Sequence, residues 1–182
     1  MSRFAICPHC APSAPTRRAV ITGLAAAALV PAAAQAAPSA AEDERFMRIA
    51  IAEARRADFP FGAVIVRDGT ILARGRNLGR TTDDPTAHGE MVAIRRALKA
   101  HGSKALKGAT IYTSGEPCAM CMGAILWCGF GRLVFAASVD QLATRINQIM
   151  ISSADLAAKA TYASISITGG VLADEAMKLF AK

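Results

Sequence analysis

Thr86-Ala87-His88-Gly89-Glu90 and Glu116-Pro117-Cys118-Ala119-Met120-Cys121 lie about 30 residues apart, and each stands at the predicted start of a helix. Residues 86–101 have helical composition up to Gly102, a natural stop, and residues 118–128 form a second helix. Pro117 suits the position just ahead of that helix, where no N–H is required. Short apolar strands are predicted over 109–113 and 133–137, on either side of the second helix. Further out, the β-rich runs 62–66 and 70–76 are joined by Asp68-Gly69, which predicts a hairpin with a tight turn. Before them, residues 41–57 place Phe46, Ile49, Ala50 and Ala54 at helical spacing among Glu and Arg. Past Ser138 the pattern weakens into polar helical stretches. Ser164-Ile165-Ser166-Ile167 then alternates like a strand, Gly169-Gly170 breaks it, and residues 171–181 close the chain as a helix. Helices interleaved with strands in this way predict an α/β fold of three layers, α/β/α, in a single domain.

The chemistry rests on one histidine, two cysteines and one glutamate. His88, Cys118 and Cys121 make a tetrahedral zinc site with one position left open, the feature that separates catalytic zinc from closed structural zinc. Both ligand groups fall at predicted helix starts, where unpaired N–H groups favour negative charge and hence thiolate. Glu90, two residues beyond His88, does not stack over it as an i+4 residue would. It is better placed to meet a water in the fourth position than to be another ligand, and would act as the general base and acid once zinc has lowered that water's pKa. A lone Cys-x-x-Cys is more often a structural pair and a lone His-x-Glu is weak evidence; together, in this order and at helix starts, they are strong. Cys128 falls at the end of its apolar helix and is expected to be a buried thiol.

The formal charge of +7 and the 53% hydrophobic content mix two regions. Residues 1–36 hold Arg3, Arg17 and Arg18, no acid, an apolar stretch over 19–30, and a small-residue run ending Ala34-Gln35-Ala36. This is the three-part pattern of a cleaved export signal. Thr16-Arg17-Arg18 resembles the twin-arginine (Tat) motif, which predicts the twin-arginine translocon as a partner and the periplasm, or another exported location, as destination. The apolar stretch is too short for a transmembrane helix, which needs about 20 residues. Cys7-Pro8-His9-Cys10 precedes the expected cleavage site and is read as an accident of the basic region. Residues 37–182, the expected mature domain, hold all 14 acids against 18 of the 21 basic residues, a mild excess that argues against a nucleic-acid partner.

Three stretches together, Pro60-Phe61-Gly62-Ala63-Val64-Ile65-Val66, Asp84-Pro85-Thr86-Ala87-His88-Gly89-Glu90 and Glu116-Pro117-Cys118-Ala119-Met120-Cys121-Met122-Gly123-Ala124-Ile125, closely resemble the cytidine and deoxycytidylate deaminase superfamily, in the branch of guanine deaminases and tRNA adenosine deaminases. The resemblance covers roughly residues 43–182. It implies a five-stranded mixed sheet between helices, one Zn2+ per subunit, a homodimer and hydrolytic deamination. It also implies that Asn77 hydrogen-bonds the substrate ring, that Phe61 lines the pocket and that Asp140 lies near the substrate. Gly89 departs from the pattern, which usually has Ala there. Trp127 is a further pocket candidate because an aromatic face stacks on a planar base. Plainer roles stand beside these: a strand end for Asn77, core for Phe61 and Trp127, a helix cap for Asp140.

The expected function is therefore zinc-dependent removal of an exocyclic amine from a free nucleobase or nucleoside, with guanine or a related amino-heterocycle favoured. Export separates the enzyme from tRNA, although Gly169-Gly170-Val171-Leu172-Ala173-Asp174-Glu175 looks more like the tail of the tRNA deaminases. A tRNA adenosine deaminase-like enzyme is the alternative, followed by a non-catalytic zinc-stabilised binding domain, against which Glu90 and the open ligand position argue.

Overall fold

The computed structural model of the protein describes residues 39–181. The expected leader, with Cys7 and Cys10, lies outside the described residues. The first helix, α1 (Ala40–Ala54), starts where the Ser39 side chain accepts from the Glu42 N–H, and carries Glu42 and Asp43 in its first turn, where the helix dipole favours acids. Strands β1 (Gly62–Arg67) and β2 (Thr70–Arg76) pair antiparallel around Asp68 and Gly69. These two have φ of 50° and 72°, the left-handed pair that a tight hairpin turn needs. Then come α2 (Gly89–His101), β3 (Thr110–Gly115), α3 (Ala119–Cys128) and β4 (Arg132–Ala137). Two short helices follow: α4 (Val139–Ala143), opened by a capping box between Ser138 and Gln141, and α5 (Ser153–Lys159), capped by Ser152. The chain ends with β5 (Ser166–Thr168), α6 (Ala173–Met177) and a 3-10 turn over Lys178–Phe180.

The sheet order is β2-β1-β3-β4-β5. β1 runs antiparallel to both neighbours while β3, β4 and β5 are parallel, giving the mixed five-stranded sheet that was expected. Alternation along β1 divides the core: Ala63 and Ile65 join Ala93 and Ala97 of α2 and Met122 and Ile125 of α3, whereas Val64 and Val66 join Phe46, Met47 and Ile51 of α1 and Ala176 of α6. Helices therefore cover both faces. On the α1 face, the buried Asp43 accepts from both terminal nitrogens of Arg132 (2.6 and 2.7 Å) and from the Tyr112 hydroxyl (3.0 Å), tying α1 to β3 and β4.

The C-terminal region departs from its sequence pattern. β5 occupies 166–168 instead of 164–167 because its pairing to β4 runs from Arg132↔Ser166 to Val134↔Thr168. The single closing helix expected over 171–181 is broken: Leu172 takes φ 58°, α6 has five residues, and the last turn tightens to 3-10. At the other end, α1 stops at Ala54, short of the expected 57.

Two strand glycines set the approach of helix to sheet. A Cβ at Gly62 would overlap the Ala50 carbonyl of α1, and one at Gly75 would overlap the Gly89 carbonyl and the Ala93 N–H of α2. Gly123 of α3, by contrast, has nothing within 4 Å of its virtual Cβ. Gly75→Ala is expected to lower stability by about 1–3 kcal/mol, because backbone must move to accept the methyl. Gly123→Ala is expected to be neutral or to raise stability by up to about 1 kcal/mol, since Ala is the better helix former. Guanidinium unfolding of both variants checks this; equal midpoints would contradict it.

Candidate metal centre and cleft

His88 and Cys118 are the N-cap residues of α2 and α3, each with an extended backbone (φ −64°, ψ 158° and φ −63°, ψ 168°), and neither side chain caps its own helix. Both are thus free to turn toward each other. Cys121, three residues into α3, completes the group, and the three candidate ligand atoms all lie within 4.8 Å of one another. The His88 Nδ1 is 3.7 Å from the Cys118 Sγ and 3.6 Å from the Cys121 Sγ. A tetrahedral zinc with bonds of about 2.3 Å to sulfur and about 2.1 Å to nitrogen sets those atoms about 3.6 Å apart. The donor set and its spacing therefore fit zinc, through Nδ1 of the histidine, with three protein ligands. The Cys118 thiol is pulled down to about 4, chiefly by its hydrogen bond with Cys121; burial opposes this and His88 assists. Cys121 is pushed up by the same pairing, then by burial and by Glu90.

Glu90 is 5% exposed. Burial pushes its carboxyl up to about 7, its own backbone N–H pulling the other way. A small chamber of about 30 Å³ touches Glu90, His88, Cys118, Phe61, Glu116 and Gln148, with room for a water molecule. Beside it opens a cleft of about 880 Å³, walled by Phe61, Asn77 and His88 on the side of the metal cluster and by Ile146, Asn147 and Gln148 from the segment after α4. Asp58, Phe59, Arg80 and Asp83 also contribute to it. Asn77 is buried, and its Oδ1 accepts from the Gly79 N–H at 3.0 Å, which leaves the Nδ2 donor for the cleft. Phe61 walls both spaces, and its ring packs edge-on against Phe180 at 5.3 Å.

The structure thus brings His88, Glu90, Cys118, Cys121, Asn77 and Phe61 to one place. It does not bring Asp140 or Trp127 there, contrary to expectation. Trp127 lies on the outer face of α3, 77% exposed and stacked on Tyr162 with ring centroids 4.5 Å apart, so it is neither pocket wall nor core. Asp140 is exposed in the first turn of α4, where Ser138 supplies the cap, and it lines neither space. Cys128 is half-buried outside the cluster, and burial pushes its thiol up. Glu116 and the residues 146–148 were not singled out from the sequence. An acid directly before Pro117-Cys118 was a usable signal, whereas 146–148 have no periodicity or motif.

In metal-free protein, the raised Glu90 value means that the folded state holds this proton more tightly than the unfolded chain. The stabilising contribution is complete below about pH 4.5 and is lost as pH rises through about 7. Chemical denaturation of metal-free protein between those values is expected to show a loss of up to about 3 kcal/mol relative to Glu90→Gln, whose amide does not titrate. Parallel pH profiles for the two proteins would contradict this.

Residues 40–137 match the family model for the cytidine and deoxycytidylate deaminase zinc-binding region. The chain is 53% identical over 78 residues to the guanine deaminase of Bacillus subtilis (strain 168), an alignment covering 43% of this chain and 50% of that protein. It is 39% identical over 138 residues to the tRNA-specific adenosine deaminase of Haemophilus influenzae, covering 73% of this chain and 78% of that one. Among solved structures it is similar to that of a mutant protein in complex with 8-azaguanine, with a TM-score of 0.66 and 27% identity over 75% of this chain and 81% of the other. The chain belongs to the cytidine and deoxycytidylate deaminase family.

Proposed function

We propose that the protein is a zinc-dependent hydrolase that removes an exocyclic amino group from a free nucleobase or nucleoside, guanine or a related amino-heterocycle before others. The observation that carries this reading is the buried Glu90, set beside a water-sized chamber that also touches His88 and Cys118 and adjoins the cleft. His88, Cys118 and Cys121 would hold zinc, which would supply the Lewis acidity that brings the pKa of a water molecule toward neutrality. Glu90 takes one proton from that water and passes it to a ring nitrogen of the substrate. The water oxygen bonds to the carbon bearing the amine, Glu90 carries the second proton to the departing nitrogen, the C–N bond breaks and ammonia leaves. Asn77 donates Nδ2 to the ring, and Phe61 gives the planar base an aromatic wall.

Two sets of features bear on substrate and point in opposite directions. The mild charge balance of residues 37–182 and the twin-arginine leader expected from the sequence favour a small substrate met outside the cytoplasm, whereas the Haemophilus relative and the tail at 169–175 favour an adenosine in tRNA. Export by the twin-arginine route is part of the proposal and fits a zinc enzyme, which can load metal and shield both thiolates before meeting an oxidising compartment. Among the described residues no helix is long and apolar enough to cross a membrane. The homodimer belongs to the same reading, with exposed Met120 and Trp127 of α3 offering apolar surface to a second copy.

Ammonia release from guanine, adenine, cytosine, their nucleosides and a tRNA anticodon stem tests the proposal, run on periplasmic and cytoplasmic fractions as well as on zinc-loaded protein. A free base or nucleoside is expected to react, guanine foremost, with the activity in the periplasmic fraction. Glu90→Ala is expected to keep its zinc and lose at least about 100-fold in turnover. Reaction of the tRNA stem alone would replace this reading by the tRNA one. No release from any compound by zinc-loaded protein would favour a binding domain, and activity confined to the cytoplasm would overturn export.

A further inference from the structure

Phe61, His88 and Gln148 line both the small chamber and the cleft. Phe61 has no hydrogen-bonding group, and His88 directs its Nδ1 to the two cysteines. Gln148 is therefore the polar side chain, outside the metal cluster, past which a substrate spanning the two spaces must lie. Among the described residues no hydrogen bond engages its carboxamide, which offers both donor and acceptor.

The loop that carries Gln148 has little to hold it by its own packing. Its next three residues, Ile149, Met150 and Ile151, are 58%, 55% and 44% exposed, and Ile146 is its inward anchor. What fixes the loop is Glu116. This buried carboxylate accepts from the Val139 N–H at 2.8 Å and from the Ser153 N–H at 2.7 Å, the first residues of α4 and α5. Both N–H groups are among those a helix start leaves unpaired, and both helix dipoles favour the negative charge. The segment 139–153, made of α4 and the loop after it, is thus held at its two ends by a single side chain, two residues from Cys118 in the chain.

We propose that Gln148 is a specificity-determining residue whose carboxamide hydrogen-bonds the substrate ring at the junction of chamber and cleft, and that Glu116 is the positioning residue that holds it there. The inference rests on the deaminase reading above and narrows its substrate class. A carboxamide pairs best with a ring edge that presents a donor and an acceptor side by side, so heterocycles with such an edge are preferred over those with acceptors alone.

The test uses zinc-loaded protein, 8-azaguanine as the binding probe, and KM and kcat for whichever compound of the ammonia panel reacts best. Gln148→Ala is expected to keep its zinc and to weaken 8-azaguanine binding and raise KM by about tenfold, with kcat changed less. Glu116→Gln, which cannot accept both N–H groups, is expected to show a similar loss. The double variant is expected to bind no more weakly than the weaker single variant, since Glu116 acts through Gln148. Unchanged binding and KM in Gln148→Ala, beside an active parent, overturns this inference alone, and does so even if Glu116→Gln fails to fold. Losses that multiply in the double variant overturn the positioning role. A parent that releases ammonia from no compound overturns the proposed function and this inference with it.

Discussion

His88 and Cys118 each begin a helix without capping it, and the rest of the site is arranged around that pair. An N-cap position ordinarily carries a side chain that folds back onto the helix's own N–H groups. Here both side chains turn away, and the two helix starts instead place their ligands within reach of each other. This arrangement requires α2 to lie directly on the sheet, which is why Gly75 meets the Gly89 carbonyl where a methyl would overlap it. Gly89 is itself pressed close, its virtual Cβ 2.9 Å from the Phe61 carbonyl. The Gly at a position where the resembling family usually has Ala thus accompanies a tight seat for α2 against the Phe61-Gly62 backbone.

The opposite face of the sheet supplies rigidity without chemistry. Asp43, Arg132 and Tyr112 join α1 to β3 and β4 through a bidentate ion pair and a hydroxyl, all remote from the cleft. Removing one partner of such a pair is costly, because it strands the other charge in a buried place. β3 links the two faces: Tyr112 belongs to the α1 side, and Glu116, just past the strand's far end at Gly115, lines the chamber. Gly115 has no room for a side chain, since a Cβ there would come within 2.9 Å of the Phe61 ring. The ring that walls the cleft is therefore fixed by a strand glycine on one side and by Phe180 on another.

The parts of this architecture that were legible in the sequence are those written in contiguous residues. Asp68-Gly69 announced its hairpin because only a left-handed turn closes two twisted strands so tightly. The His88, Cys118 and Cys121 set was legible because zinc ligation constrains residue type and spacing at once. Trp127 and Asp140 were misplaced for a common reason: aromaticity and charge suggest what a side chain could bind, but its direction depends on helix phase, and α3 and α4 turn both into solvent. Residues 139–181 resisted because their elements are short. Ser138 with Gln141 and Ser152 with Asp155 were real start signals, yet a three-residue β5 and a five-residue α6 take their form from neighbours. Glu116 was invisible in its role, since its two partners lie 23 and 37 residues away in the chain.

The central claim is a metal bound by three protein side chains with a fourth position left for the reaction. X-ray absorption at the zinc edge of the loaded protein tests it most directly. The account predicts two sulfur scatterers at about 2.3 Å and two lighter ones at about 2.0–2.1 Å, one of them showing the outer-shell pattern of an imidazole and the other that of a single oxygen. A shell of four protein ligands, or a metal with fewer than two sulfurs, would contradict it.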